Sequence, residues 1–192
     1  MRVSRIQAAE NRETVINVAS RLFRECGFDG IGLKDLMKGA GLTQGAFYKQ
    51  FASKEDLTAQ ASRRALESAT LRWSAATAAK PKDPLGAVVA FYLSADHRDE
   101  KMDGCPIVAL GSDAARQGPD VKAQFEAGIK AHLDVLGHFI AGTGDEASRG
   151  KAMAILATMV GAVTLSRVVN DPDLAQALLD AAAKQVRDAA AA

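Results

Sequence analysis

Two glycines constrain the front of this chain more than anything else in it. Val15, Ile16, Ala19, Leu22 and Phe23 recur at i, i+1, i+4, i+7 and i+8, which draws one apolar stripe along a helix. Gly27 is where that helix should stop. A second, shorter helix is expected over 33–40 with Leu36 and Met37 inward, and Gly41 then supplies the positive φ that a tight exit needs. Leu42 plugs the turn. Thr43 reads as the N-cap of a third short helix in which Phe47 and Phe51, four apart, share the buried face. Ser53 caps a fourth helix, expected to run to about Ala79, with Asp56 as its capping-box partner.

Lys80 to Pro84, with two prolines, is the clearest break. Beyond it, periodicity predicts helices near 85–95, 106–116, 120–141, 145–170 and 172–190, punctuated by Gly104, Gly118, Gly142 to Gly144 and Asp171. Hydrophobic residues make up 48% of the chain but aromatics only 5%, so burial must come from small and aliphatic side chains, as in closely packed helices. The expectation is an all-α protein: an N-terminal three-helix unit with a helix-turn-helix over 1–58, then a helical domain over 59–192.

Gly41 to Phe51 holds no carboxylate at all. Up to Leu66 there are 11 Lys or Arg against 7 Asp or Glu, and 13 against 16 beyond, so the chain's net +1 divides into a positive front and a negative remainder. A helix entering the major groove passes between two rows of phosphates, where carboxylates are repelled and amide, hydroxyl and ammonium groups form hydrogen bonds. Gln44 suits a base edge, Gly45 a close backbone approach, and Lys49 a guanine or a phosphate, while Thr43, Tyr48 and Lys54 suit phosphates. The helix starts at Thr43 and Ser53 add oriented N–H groups. A short surface helix between two others gives the same periodicity.

The stretch GFDGIGLKDLMKGAGLTQGAFYKQFASKEDL, from Gly27 to Leu57, resembles the DNA-binding domain of the TetR family of transcriptional regulators, above all in GLTQGAFYKQF and SKEDL. The resemblance implies that Gln44, Gly45, Tyr48 and Lys49 lie on the recognition helix, that Thr43 and Lys54 meet phosphates, and that Lys34 is a lesser contact. Where the family commonly has Ser or Thr opening the second helix, this chain has Ile31 and Gly32. It further implies a homodimer that represses from a palindromic double-stranded DNA operator and leaves it when a small-molecule effector, of unknown identity, enters the C-terminal domain; a cytoplasmic location is expected separately, from only two cysteines, Cys26 and Cys105, and no visible secretory signal. The last two helices would pair the copies, with Ala154, Ala157, Gly161 and Ala162 allowing close approach and Leu156, Val160, Leu174 and Leu178 filling it. A buried intrachain core has the same pattern.

Trp73, Phe91, Tyr92, Phe125, Phe139 and Met159 are candidates to line an apolar effector pocket, and core packing accounts for each equally well. Cys105, between Gly104 and Pro106, should sit at a helix N-cap, where a thiol feels the positive helix end and can sense an oxidant or electrophile; a buried inert cysteine is the plainer reading. Two cysteines rule out a disulfide framework. His97 with Asp96, Asp99, Glu100 and Asp103 looks like a solvated acidic loop, and His132 and His138 do not share a helix face, so no metal is expected.

No cofactor or enzyme chemistry is expected either: a phosphate-cradling glycine loop and a Ser or Cys beside a His and an acid are both missing. The longest uncharged run, Ala152 to Ser166, is too short for a bilayer. The rival to a DNA-binding regulator is a helical ligand-binding sensor or carrier without DNA binding.

Overall fold

The computed structural model describes residues 4–141 and 146–191. The α-helices are α1 (Arg5–Cys26), α2 (Leu33–Gly39), α3 (Lys54–Ala79), α4 (Pro84–Tyr92), α5 (Ala95–Asp99), α6 (Pro106–Ala114), α7 (Pro119–Ala141), α8 (Glu146–Val168) and α9 (Pro172–Ala191), with a 3-10 helix at Gln44–Lys49. No strand occurs among the described residues. The glycines expected at 142–144 and the predicted start at Asp145 lie outside them.

Two compact units result. The first joins Met1–Glu67 to Lys101–Glu126, and the second joins Ser68–Glu100 to Ala127–Ala192. The boundary expected at residue 58 therefore differs from the observed division. Residues 101–126 belong with the N-terminal helices because Leu110, Ala114, Val121 and Phe125 complete the core built on Ile16, Phe23, Leu36, Phe47 and Leu57. Sequence periodicity marks an apolar face but not which neighbour covers it.

Within the first unit the glycines behave as predicted. Gly27 has φ 78° and its N–H donates to the carbonyl of Phe23. Gly41 has φ 70°, its N–H donates to Lys38 and the N–H of Leu42 donates to Met37, the paired bonds of a Schellman ending. Arg24, the residue after Phe23 of the apolar stripe, is buried as well: its guanidinium donates to the carbonyls of Ser20 and Gly104 and lies 3.6 Å from Asp103. A long side chain can carry its charge across an apolar face when carbonyls and an acid await it.

In the second unit the helix predicted over 85–95 ends at Tyr92, and the expected acidic loop forms α5, with Ser94 Oγ accepting the His97 N–H. Asp96 and Asp99 face solvent, but His97 is buried, its Nδ1 2.7 Å from the Tyr92 carbonyl oxygen. Arg167 of α8 donates to the carbonyls of His97, Arg98 and Glu100, placing a cation on the last turn of α5.

Helices α8 and α9 pack along each other, and α9 also packs on α4. Leu156 and Ala162, expected at an interface between copies, are buried inside this chain, whereas Ala154, Ala157 and Leu174 are exposed. By length and composition alone Ser148–Val168 is also apolar enough to cross a membrane, which the shorter uncharged run did not indicate.

Candidate nucleic-acid interface

The segment after Gly41 is held from beneath by its aromatic residues. Phe47 is fully buried, with its ring stacked on Phe51 at 5.4 Å and edge-on to Tyr48 at 5.1 Å. Those contacts anchor six residues that have too few internal hydrogen bonds to be stable alone. The segment is 3-10 rather than the expected α-helix: the Ala46 N–H reaches back three residues to Thr43. The Thr43 side chain makes no cap bond, contrary to its expected role.

Thr43, Gln44, Gly45, Tyr48 and Lys49 are all exposed, and Lys34 is exposed on the first turn of α2. Tyr48 presents 69% of its surface to solvent. A Cβ on Gly45 would meet nothing within 4 Å, so this backbone is open to a close approach. Together Thr43, Gln44, Tyr48 and Lys49 expose one amide, two hydroxyls and one ammonium, with no carboxylate from Gly41 to Phe51.

Lys54 behaves differently from its sequence reading. Its Nζ donates to the carbonyl of Phe28 at 2.6 Å and to that of Ile31 at 3.0 Å, so the ammonium is turned inward onto the loop between α1 and α2. Two of its three N–H groups are occupied there. This also supplies what Ile31 and Gly32 lack, since Gly32 caps α2 without a side-chain bond and the lysine fixes the approach to it.

The start of α3 is built as the sequence predicts, with one shift. Ser53 Oγ accepts the Asp56 N–H at 3.0 Å, and the Asp56 carboxylate accepts the N–H of Ala52 rather than that of Ser53. Asp56 also accepts from the Gln60 amide, whose oxygen in turn accepts from Arg12 at 2.6 Å. The Arg12 guanidinium lies 5.1 Å over the Phe51 ring, and its Nε donates to the carbonyl of Gln50 at 3.4 Å. Arg12, Asp56 and Gln60 thus clamp the far end of the exposed segment. Sequence reading missed Arg12 and Gln60, because their pairing spans 48 positions and no local pattern marks it.

The candidate pocket residues are not one set. Phe125 is in the core of the first unit, while Trp73, Phe91, Tyr92, Phe139 and Met159 are in the second. Trp73, Tyr92 and Met159 are buried; Phe91 and Phe139 are partly exposed, with the Arg72 guanidinium 5.0 Å over the Phe91 ring. Cys105 does stand at the N-cap of α6 with Pro106 following, but it is only 3% exposed. Cys26 is exposed. Among the described residues no group of His, Cys, Asp or Glu is arranged to hold a metal.

The profile described as "Bacterial regulatory proteins, tetR family" matches residues 15–61, the helices that carry this interface. The chain is 39% identical over 56 residues to the HTH-type transcriptional regulator AcrR of Shigella flexneri, a match spanning 29% of this chain and only 26% of that protein. It is 27% identical over 164 residues to the HTH-type transcriptional regulator LmrA of Bacillus subtilis, covering 82% of this chain and 86% of that one. The crystal structure of a TetR transcriptional regulator from Chloroflexus aurantiacus superposes with a TM-score of 0.79 at 26% identity, over 95% of both chains.

Proposed function

The chain belongs to the TetR family of bacterial transcriptional regulators, and from that premise we propose that it acts as a repressor, a homodimer that holds a palindromic operator until a small-molecule effector releases it. One observation carries the reading. The exposed row Thr43, Gln44, Gly45, Tyr48 and Lys49 offers hydrogen-bonding groups without a single carboxylate, on a segment clamped by Phe47 and Arg12. Gln44 reads a base edge, Lys49 a guanine or phosphate, and Thr43 and Tyr48 the backbone. Lys54 serves chiefly to hold the loop beneath them.

Homodimerisation draws support from α8 and α9. Met153, Leu165, Val168 and Leu174 are large apolar side chains left exposed on these two helices, with Ala154 and Ala157 among them. A second copy would cover that surface, and a two-fold pair of recognition segments meets two half-sites of a palindrome. The same surface makes α8 apolar enough to resemble a membrane span, and Arg149, Lys151 and Arg167 within the span favour the protein interface.

A thiol-reactive effector is the weaker of two release routes, since it must first reach a nearly buried Cys105. The deciding experiment is a mobility-shift titration of the protein against the DNA upstream of its own gene at several salt concentrations. Binding that falls steeply with salt, with one dimer per site, is expected. No association at low salt would sink the proposal.

A further inference from the structure

The second unit buries a chain of aromatic rings around an imidazole. The rings of Trp73 on α3 and His132 on α7 are 4.5 Å apart and nearly perpendicular, Trp73 meets Tyr92 at 5.8 Å, and Tyr92 meets His97 at 4.6 Å. His132 is 1% exposed. Its Nδ1 lies 2.7 Å from the carbonyl oxygen of Gly128, one turn earlier on the same helix.

That distance fixes the tautomer. A carbonyl oxygen only accepts, so Nδ1 must carry the hydrogen. Burial pushes the ring below its usual pKa, countered by the Gly128 bond, and no charged side chain contributes to the shift. At neutral pH the imidazole is therefore uncharged and Nε2 is a bare lone pair. Nε2 is buried, and no protein group within hydrogen-bond reach donates to it.

We propose that His132 Nε2 is the polar anchor of the effector site, and that its ligand is a neutral aromatic molecule bearing an O–H or N–H donor, of which a phenol is the simplest. The proposal rests on the effector-released reading above and names its chemistry. A buried acceptor discriminates by what it can pair with: a donor satisfies it, an ether leaves it unpaired, and a carboxylate sets lone pair against lone pair while losing its own hydration. The edges and faces of Trp73 and Tyr92 suit a ring as the ligand's body. Arg72 and Arg167 do not make the site a carboxylate trap, because Arg167 is spent on the α5 carbonyls and Arg72 lies over Phe91.

Trp73 is the only tryptophan in the chain, so its fluorescence reports this position alone. The test titrates DNA-free protein with para-cresol, para-methylanisole and para-toluate. Expected is a saturable change in Trp73 emission with para-cresol binding about tenfold more tightly than para-methylanisole, and no binding of para-toluate. His132→Leu should bind the cresol and the ether alike. Equal affinities in the unaltered protein, no saturable change, or para-toluate as the best ligand would each overturn the proposal, and none of these depends on the variant folding. The DNA shift assay is read separately. Cresol binding that leaves the DNA complex intact supports the site and refutes only its role in release, whereas a protein that never binds DNA still reports the site through Trp73.

Discussion

The ammonium of Lys54 lies 2.6 Å from the carbonyl oxygen of Phe28, a residue 26 positions earlier, and 3.0 Å from that of Ile31. A charge-assisted bond of this kind contributes about 1.5–3 kcal/mol. Lys54→Met should therefore lower the unfolding free energy in urea by at least 1 kcal/mol or so, in the absence of DNA. A variant as stable as the parent but deficient in DNA affinity would return Lys54 to the phosphate contacts.

Phe47 and Tyr48 are neighbours with opposite duties. Phe47→Ala empties a fully buried site and should cost about 3–5 kcal/mol. Tyr48→Ala should change stability by less than about 0.5 kcal/mol, yet weaken binding to every DNA sequence. Gln44→Ala should, in addition, flatten the preference among operator variants. Urea melts paired with shift assays on the same samples separate the three.

Gly27 and Gly41 both have positive φ but differ in surroundings. A Cβ at Gly41 meets open space, so Gly41→Ala incurs only backbone strain of about 1–2 kcal/mol. At Gly27 the Cβ would come 2.8 Å from the Asp113 carboxylate, which also accepts the Phe28 N–H at 3.1 Å. Gly27→Ala should be the more damaging of the two in thermal unfolding; equal losses would count against the Asp113 bond.

His97 predicts a loss of stability on acidification. Burial, reinforced by Arg72 and Arg167 and opposed by the Tyr92 bond, lowers its pKa from 6.5 to about 4. The unfolded chain thus takes up a proton before the folded one does. Stability is full above pH 6.5, declines as pH falls from there toward 4, and draws no further loss from His97 below that. The decline from pH 7 to pH 5 should be about 2 kcal/mol, and His97→Asn should remove most of it. His132, also lowered by burial, adds a slope of the same sign.

Val168→Lys and Leu165→Asp introduce charges on the exposed apolar face of α8. Both should shift the molecular mass in sedimentation from dimer to monomer and reduce operator affinity with it, while leaving helix content unchanged. Dimers that persist in both variants would move the interface elsewhere.

What sequence could determine was local. The stripe of Val15, Ile16, Ala19 and Phe23, the stops at Gly27 and Gly41, the Ser53 cap, and the exposure of Gln44, Tyr48 and Lys49 all depend on residues a turn or two apart, where spacing and side-chain type decide the outcome. What tertiary structure decided was pairing at a distance. Lys54 turned inward to Phe28 and Ile31, Arg12 reached Gln60 across 48 positions, Arg24 sank onto Gly104, residues 101–126 joined the N-terminal core, and His97 left solvent. A charged or polar side chain has several partners equal in chemistry, and only the packed fold brings one of them within hydrogen-bonding distance.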